Sequence, residues 1–335
     1  MTETIWAVGG EQRMATFRQL EEWNKFQTAV VARVNARTGA AERVLEYVSP
    51  PENCPDDQPS ILFKAATIDG DTAWLCTQTE VLECALPSFA IRRVISLPCF
   101  NDLHHVAPGP DGRLFVAVTG LDAVAELTRE GELIRLVDVL GGDPWERFAR
   151  DVDWRKIHTT KPHRSHPNFV FFVDGRPWVT RFEQRDAVPV DDPAGGGARF
   201  PVSHGKGIHD GCLHDGRLHF TSVDGHLVTF ELATGERTDF DLNTLREPDD
   251  NRPLGWCRGV LPLGGRIWVG FTRLRHTKLR QNLSWIRHGF RKTEFHRGLP
   301  TRISLYDLEQ PAVLRHVDLE AVGLNAIFSI HRGEA

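Results

Sequence analysis

Six polar residues stand at one recurring place in the sequence: Lys64, His104, Asn168, His209, Arg258 and, by analogy of position, Asn325. Lysine and arginine are fixed cations, and the guanidinium fork matches a carboxylate or a phosphate. Asn168 and Asn325 add amide donors. His104 and His209 are the members whose ordinary pKa lies near neutrality, which makes them the candidate general acid and base. Neighbouring cations would depress an imidazole pKa and keep a neutral base at hand. The pattern predicts a site where Lys64, Asn168, Arg258 and Asn325 bind a small anionic substrate and His104 and His209 move protons, in acid–base or lyase-type chemistry.

Residues beside the ring bear on the same site. His105 competes with His104 for the inward position, because an extra Pro-Gly precedes the turn in that copy. His166 and Asp210 adjoin ring members and read as supporting residues, and Asp102 reads as a cap on the rim. One alternative gathers His104 or His105, His166 and His209 around a divalent transition metal, since neutral imidazole is the commonest metal ligand. The primary reading needs no cofactor. A third class is a binding or scaffold protein without chemistry; a deep, enclosed ring favours a small ligand, an open one a protein partner.

A repeat with a period of about 40 residues positions the ring. Its phrase is an apolar strand, a tight turn and a second apolar strand: Lys64 to Cys76, His104 to Val118, Asn168 to Thr180, His209 to Ser222 and Arg258 to Phe271. An Asp-Gly or Gly-Gly supplies the turn. Third and fourth strands with alternating patterns follow each copy, giving five four-stranded blades. The termini hold the remainder: Leu324 to Ile330 is a lone strand, while Thr4 to Val8, Thr28 to Asn35 and Glu42 to Val48 are three strands without an inner partner. Pairing the two ends closes a sixth blade and removes exposed edges. The expected fold is all-β, a six-bladed β-propeller with residues 1–335 as one domain.

Four long connections, residues 12–26, 49–60, 141–165 and 273–298, fall between strands that meet on one face, so they should act as lids over the ring. Residues 12–26 and 279–290 have apolar spacing that suits short helices. The last lid carries Arg273, Arg275, Lys278, Arg280, Arg287, Arg291, Lys292 and Arg297 against Glu294 as its one acid. That cationic funnel runs against the net charge of −5 and predicts attraction of an anion.

The 335 residues are 41% hydrophobic and 25% charged, an ordinary globular balance that gives no global sign of a nucleic-acid partner. Six scattered cysteines without CxxC spacing read as buried, reduced thiols. With neither a signal pattern nor an apolar run of membrane-spanning length, the sequence predicts a cytoplasmic protein; its oligomeric state is open. There is no GxSxG, HExxH, P-loop or dinucleotide fingerprint, and Gly195-Gly-Gly197 reads as a turn.

The repeated Asp-Gly-Arg-apolar phrase resembles six-bladed propellers of the NHL, strictosidine synthase and gluconolactonase type across nearly the whole chain, a resemblance that implies fold alone. The lactonases place acidic and amide metal ligands around the channel, whereas this ring is Lys, His, Asn, His, Arg and Asn, so calcium chemistry is not expected. Gly255-Trp-Cys-Arg-Gly259, Trp268-Val-Gly-Phe-Thr-Arg273 and Ala326-Ile-Phe-Ser-Ile330 resemble more closely an uncharacterised bacterial propeller family, which implies no reaction.

Overall fold

Six four-stranded antiparallel sheets are arranged as blades in the computed structural model, which describes residues 4–14, 21–194, 197–202, 207–247, 250, 252–274 and 298–333. In chain order of their inner strands, blade one runs over Thr67–Asp69, Thr72–Cys76, Val81–Ala85 and Ala90–Ile95, and blade two over Leu103–Pro108, Leu114–Val118, Ala123–Leu127 and Leu133–Asp138. Blade three comprises Pro167–Val173, Arg176–Arg181, Asp186–Pro189 and Phe200–Pro201; blade four Ile208–His214, Arg217–Ser222, His226–Glu231 and Arg237–Asp241. Blade five comprises Trp256–Leu263, Arg266–Thr272, Arg302–Asp307 and Ala312–Asp318.

The sixth blade is closed by both ends of the chain, as the unpaired terminal strands require. Ala326–Arg332 is its inner strand and pairs with Thr4–Gln12, followed by Phe26–Asn35 and Ala41–Tyr47. Ile5 lies opposite Arg332 and Ala7 opposite Ile330. The turns follow the sequence as well. Asp174 and Gly175 have φ of +50° and +76°, and Asp215 and Gly216 have +46° and +73°, the double left-handed conformation of a type I′ hairpin turn.

The cores lie between blades rather than within one. Trp74 of blade one packs with Val106 and Val116 of blade two, and Trp268 of blade five packs with Ile5, Val30 and Ile327 of blade six. Trp6 and Val31 complete the circle against Leu75 and Leu82 of blade one. Trp74, Trp178 and Trp268 are all buried on second strands, where packing between blades was expected. All six cysteines are free and none is exposed. No helix among the described residues is long and apolar enough to cross a membrane.

Two local expectations stand differently. Blade one's inner strand is only Thr67–Asp69, because the chain above it leaves the sheet: Lys64 N–H donates to Cys76 O at 2.9 Å, but Ala65 N–H goes to His104 O in blade two at 3.0 Å. Within residues 12–26 the described part holds a single 3-10 turn, Glu22–Asn24, and residues 15–20 lie outside the described residues, as does the whole of the 279–290 helix expectation.

Candidate functional site

Breaks in strand pairing fall at or beside four of the predicted residues, His104, Asn168, His209 and Arg258. In blade two Leu103 pairs with Val118 and His105 with Ala117, so His104 is left over between them. Pairing skips from Pro167 to Val170 in blade three, from His209 to Cys212 in blade four and from Cys257 to Val260 in blade five. These β-bulges twist the inner strand and re-aim its side chains. The bulge of blade five depends on glycine: a Cβ on Gly270 would lie 2.4 Å from Arg258 O, too close for any side chain.

Phe328, on the inner strand of blade six, organises the two cations. Lys64 Nζ lies 4.8 Å from its ring centre and the Arg258 guanidinium carbon 4.5 Å, both within cation–π reach. Lys64 is buried and donates to Asp102 Oδ1 at 3.1 Å. Burial lowers its pKa, opposed by Asp102. Burial pushes the Asp102 carboxyl up, but Lys64, then His104 and Lys161, override it and hold it well below the usual carboxylate range. Arg258 differs: among the described residues its side chain meets no hydrogen-bond or ion-pair partner, and its Nε is buried. Burial drops its pKa to about 10.

The histidines form a cluster beside these cations. The His104 ring centre is 4.9 Å from that of His166, 6.2 Å from that of His209 and 6.3 Å from that of Phe328. His104 Nδ1 lies 2.9 Å from the backbone oxygen of Asp102. Phe182 spaces His166 from His209, at 5.1 and 6.0 Å. Burial, reinforced by Lys64, holds the His104 pKa well below its ordinary value, and burial with Arg258 does the same to His209. Both are neutral at pH 7, as a base must be. His209 Nε2 and His166 Nε2 are buried with no partner among the described residues. No group of three or more His, Cys, Asp or Glu among the described residues is arranged to hold a metal ion.

The remaining predicted residues divide by what they touch. His105 is packed between blades: it stacks on Phe169 with ring centres 3.6 Å apart, its Nδ1 accepts from Val170 N–H at 3.1 Å, and its Nε2 faces Thr67 Oγ1 at 3.0 Å. His104, left out of the strand ladder, is the member of the pair that meets His166, His209 and Phe328. Asn168 Nδ2 donates to Ile208 O at 2.8 Å, joining blades three and four, while its Oδ1 is buried and unpartnered among the described residues. Asp210 joins blades four and five, accepting from Thr221 Oγ1 and from Gly259 N–H at 3.0 and 3.2 Å; burial pushes its pKa up to about 6. Asn325 caps the closing blade, its Oδ1 accepting from Gln12 N–H at 2.8 Å.

Three of the four long connections clasp one another. Lys161 Nζ pairs with Glu22 at 2.6 Å, Lys156 Nζ donates to Cys54 O at 3.0 Å and pairs with Asp56 at 2.8 Å, and Ser60 N–H donates to Trp23 O at 2.9 Å. A narrow cleft between them, lined by Trp23, Cys54, Ser60 and His158, reaches Asn101 and Asp102. Of the basic lid, residues 275–297 lie outside the described residues, and Arg273 pairs with Glu320 at 3.1 Å.

Sequence reasoning missed Phe328, His163 and the Glu22–Lys161 pair. Phe328 alternates with Ile327 and Ser329 like any core strand, so nothing singled it out. His163 had a signal, its spacing of three from His166 in an otherwise irregular loop.

No protein-family model matches the chain, and no curated protein matches it. Solved structures do. A protein of unknown function from Bacteroides caccae superimposes with a TM-score of 0.59 at 14% identity, covering 98% of each chain. A nidogen/laminin complex contains a chain that matches with a TM-score of 0.56 at 9% identity, over 98% of this chain and 97% of that one. A streptogramin B lyase matches with a TM-score of 0.48 at 12% identity, over 94% and 88%. At such identities the likeness to the first two extends to fold alone, and of the resemblances drawn from the sequence it supports the six-bladed propeller and no particular family within it.

Proposed function

We propose that this chain is an enzyme acting on a small anion at the upper end of the central channel. Arg258 and Lys64 hold the anion, and His209 with His104 exchanges protons with it, in acid–base or lyase-type chemistry. The observation that carries this reading is Arg258: a guanidinium with a buried Nε, stacked on Phe328 and given no carboxylate or carbonyl among the described residues. Buried polar atoms of a charged group are ordinarily paired, and a half-buried guanidinium whose buried Nε has no partner among the described residues, beside perturbed histidines, marks a ligand site. Arg181 shows the ordinary arrangement, with both ends of its fork on Asp186 at 2.7 and 2.8 Å. The ring lies beneath clasped lids, which favours a small ligand over a protein partner.

The test is a thermal-shift panel of small carboxylates and phosphates on the parent and on Arg258→Met, at low and high salt. At least one anion should raise the parent's melting temperature and leave Arg258→Met unmoved, because losing a charge-assisted hydrogen bond costs roughly 1.5 to 3 kcal/mol of binding. A compound found this way should be turned over by the parent and by His209→Ala about 10² to 10⁴ times more slowly. A panel that shifts neither protein, or both alike, overturns the reading.

A further inference from the structure

We propose that His166 is a hydrogen-bond acceptor of the channel, its Nε2 kept unprotonated by a one-way hydrogen-bond chain through His163 and Thr160, and that with His104 and Asn168 it selects anions bearing a hydroxyl group. The ligand class rests on the anion reading above; the protonation pattern does not.

The chain is read outward to inward. Thr160 Oγ1 donates its one hydrogen to Gly120 O, so towards His163 Nε2, 3.4 Å away, it can only accept. His163 Nε2 therefore carries hydrogen. A neutral imidazole has one N–H, which leaves His163 Nδ1 as a lone pair. That lone pair faces His166 Nδ1 at 3.2 Å, so the hydrogen between them belongs to His166. His166 Nε2 is then bare, and it is buried with no donor among the described residues. Both rings are neutral: burial lowers the His163 pKa and takes that of His166 to about 3.

The loop holds this pose against backbone strain. His166 has φ of +58°, a left-handed conformation that persists where the surroundings over-determine it. The surroundings here are Asp122, buried, whose carboxylate takes the N–H groups of Arg164, Ser165 and His166 at 2.8, 2.9 and 2.9 Å and the Arg147 guanidinium at 2.6 Å. Such strain collects at functional sites.

Two more acceptors have no donor among the described residues, one on His104, whose ring centre is 4.9 Å from that of His166, and one on Asn168, two residues along the chain from His166. His104 Nδ1 faces a backbone carbonyl, which can only accept, so its hydrogen is on Nδ1 and its Nε2 is bare. Asn168 gives its NH₂ to Ile208 O, which leaves Oδ1 as the unpartnered atom. A simple carboxylate would answer the cations but bring no hydrogen to these three atoms; a hydroxy acid brings both. In the complex the substrate O–H donates to His166 Nε2 and its proton stays on oxygen, because burial makes the His166 imidazole too weak a base to deprotonate an alcohol.

The experiment is two-bond ¹H–¹⁵N spectroscopy of protein labelled at histidine nitrogen, each resonance assigned by single His→Gln variants. His166 and His104 should be Nδ1–H tautomers, and His105, whose Nδ1 accepts from Val170, should be Nε2–H and serve as the internal contrast. His166 found as Nε2–H overturns the assignment. Thr160→Val should mix the tautomers of His166 and Thr160→Ser should restore one; an unchanged His166 in Thr160→Val removes Thr160 from the chain. Acetate and glycolate, titrated on the same spectra, test the ligand class. Glycolate should bind about fivefold more tightly, the ratio one hydrogen bond to a neutral acceptor carries, and move His166 Nε2. Equal affinities overturn the hydroxyl selection and leave the anion site standing; binding of neither overturns both.

Discussion

Removing residues 324–335 should abolish the fold, because the inner strand of blade six is supplied by the end of the chain and nothing else in the molecule can replace it. Leu324, Ile327, Phe328 and Ile330 are between 0 and 7% exposed. Burying each such side chain is worth roughly 1.5 to 3 kcal/mol, so the four together contribute about 6 to 12 kcal/mol as an upper estimate. Total stabilities of domains lie at about 5 to 15 kcal/mol. The deletion also strips hydrogen bonds from two neighbours: Thr272, whose hydroxyl exchanges bonds with Ile327 N and O at 2.9 and 3.1 Å, and Ala66, whose N–H donates to Ser329 Oγ at 3.0 Å. The assay is circular dichroism against temperature, with a peptide of residues 324–335 added in trans to the truncated chain. The truncated protein should show no cooperative melt alone and regain one with the peptide. A truncated chain that melts within a few degrees of the parent would refute the closure argument.

Three further outcomes follow from the same contacts. Asp186→Ala leaves Arg181, 4% exposed, without its bidentate partner, and should cost about 3 to 5 kcal/mol in urea unfolding; a loss under 1 kcal/mol would mean that the Val139 and Pro193 carbonyls suffice. Arg258→Met should melt no lower than the parent, since it exchanges an unpaired cation for an apolar side chain of similar length; a drop of several degrees would make Arg258 structural. His105, taken to about 3 by burial, is neutral in the fold while the unfolded chain takes up its proton near 6.5, so stability is lost as pH falls from about 6.5 towards 3. Between pH 6.5 and 4.5 the parent should therefore lose roughly 2 kcal/mol more than His105→Gln. Asp210, raised to about 6, acts with the opposite sign over the same range, stabilising most at low pH, and cancels because both proteins carry it. Equal pH slopes for parent and variant would contradict the burial of His105.

The blade count and closure were legible because they follow from hydrophobic alternation and Asp-Gly turns, which are local. The site was legible only as far as turn register reaches. Counted from the hairpin turns, Asn168, His209 and Arg258 are equivalent, yet the unpaired residues are Asn168 and Phe169, Asp210 and Gly211, and Arg258 and Gly259. The bulge in blade four sits one residue nearer its turn. That shift leaves His209 paired opposite Thr221 and turns Asp210 towards Gly259. Alternation cannot reveal such a slip, because the bulge is set by what the next blade offers, here the Gly259 N–H. The ambiguity between His104 and His105 had the same origin: a break in pairing leaves His104 out of the ladder and keeps His105 in it.

This arrangement separates what holds the ring closed from what the ring presents. The inter-blade clusters are built from apolar residues of inner and outer strands alike, such as Val106, Ile327, Trp74, Leu75, Val269 and Ile303, none of them one of the six predicted polar residues. The residues at the bulges, by contrast, have left the strand ladder, so their side chains are not required for pairing. Arg258 can then remain unpaired and His166 strained because the destabilisation of a few kcal/mol that each entails falls on a scaffold whose cohesion lies elsewhere. The exceptions mark where the two layers are joined. His105 and Asp210 each bond across a blade boundary directly behind a channel residue, so substitutions there should alter site geometry and stability together, whereas substitutions at Arg258 should alter the site alone.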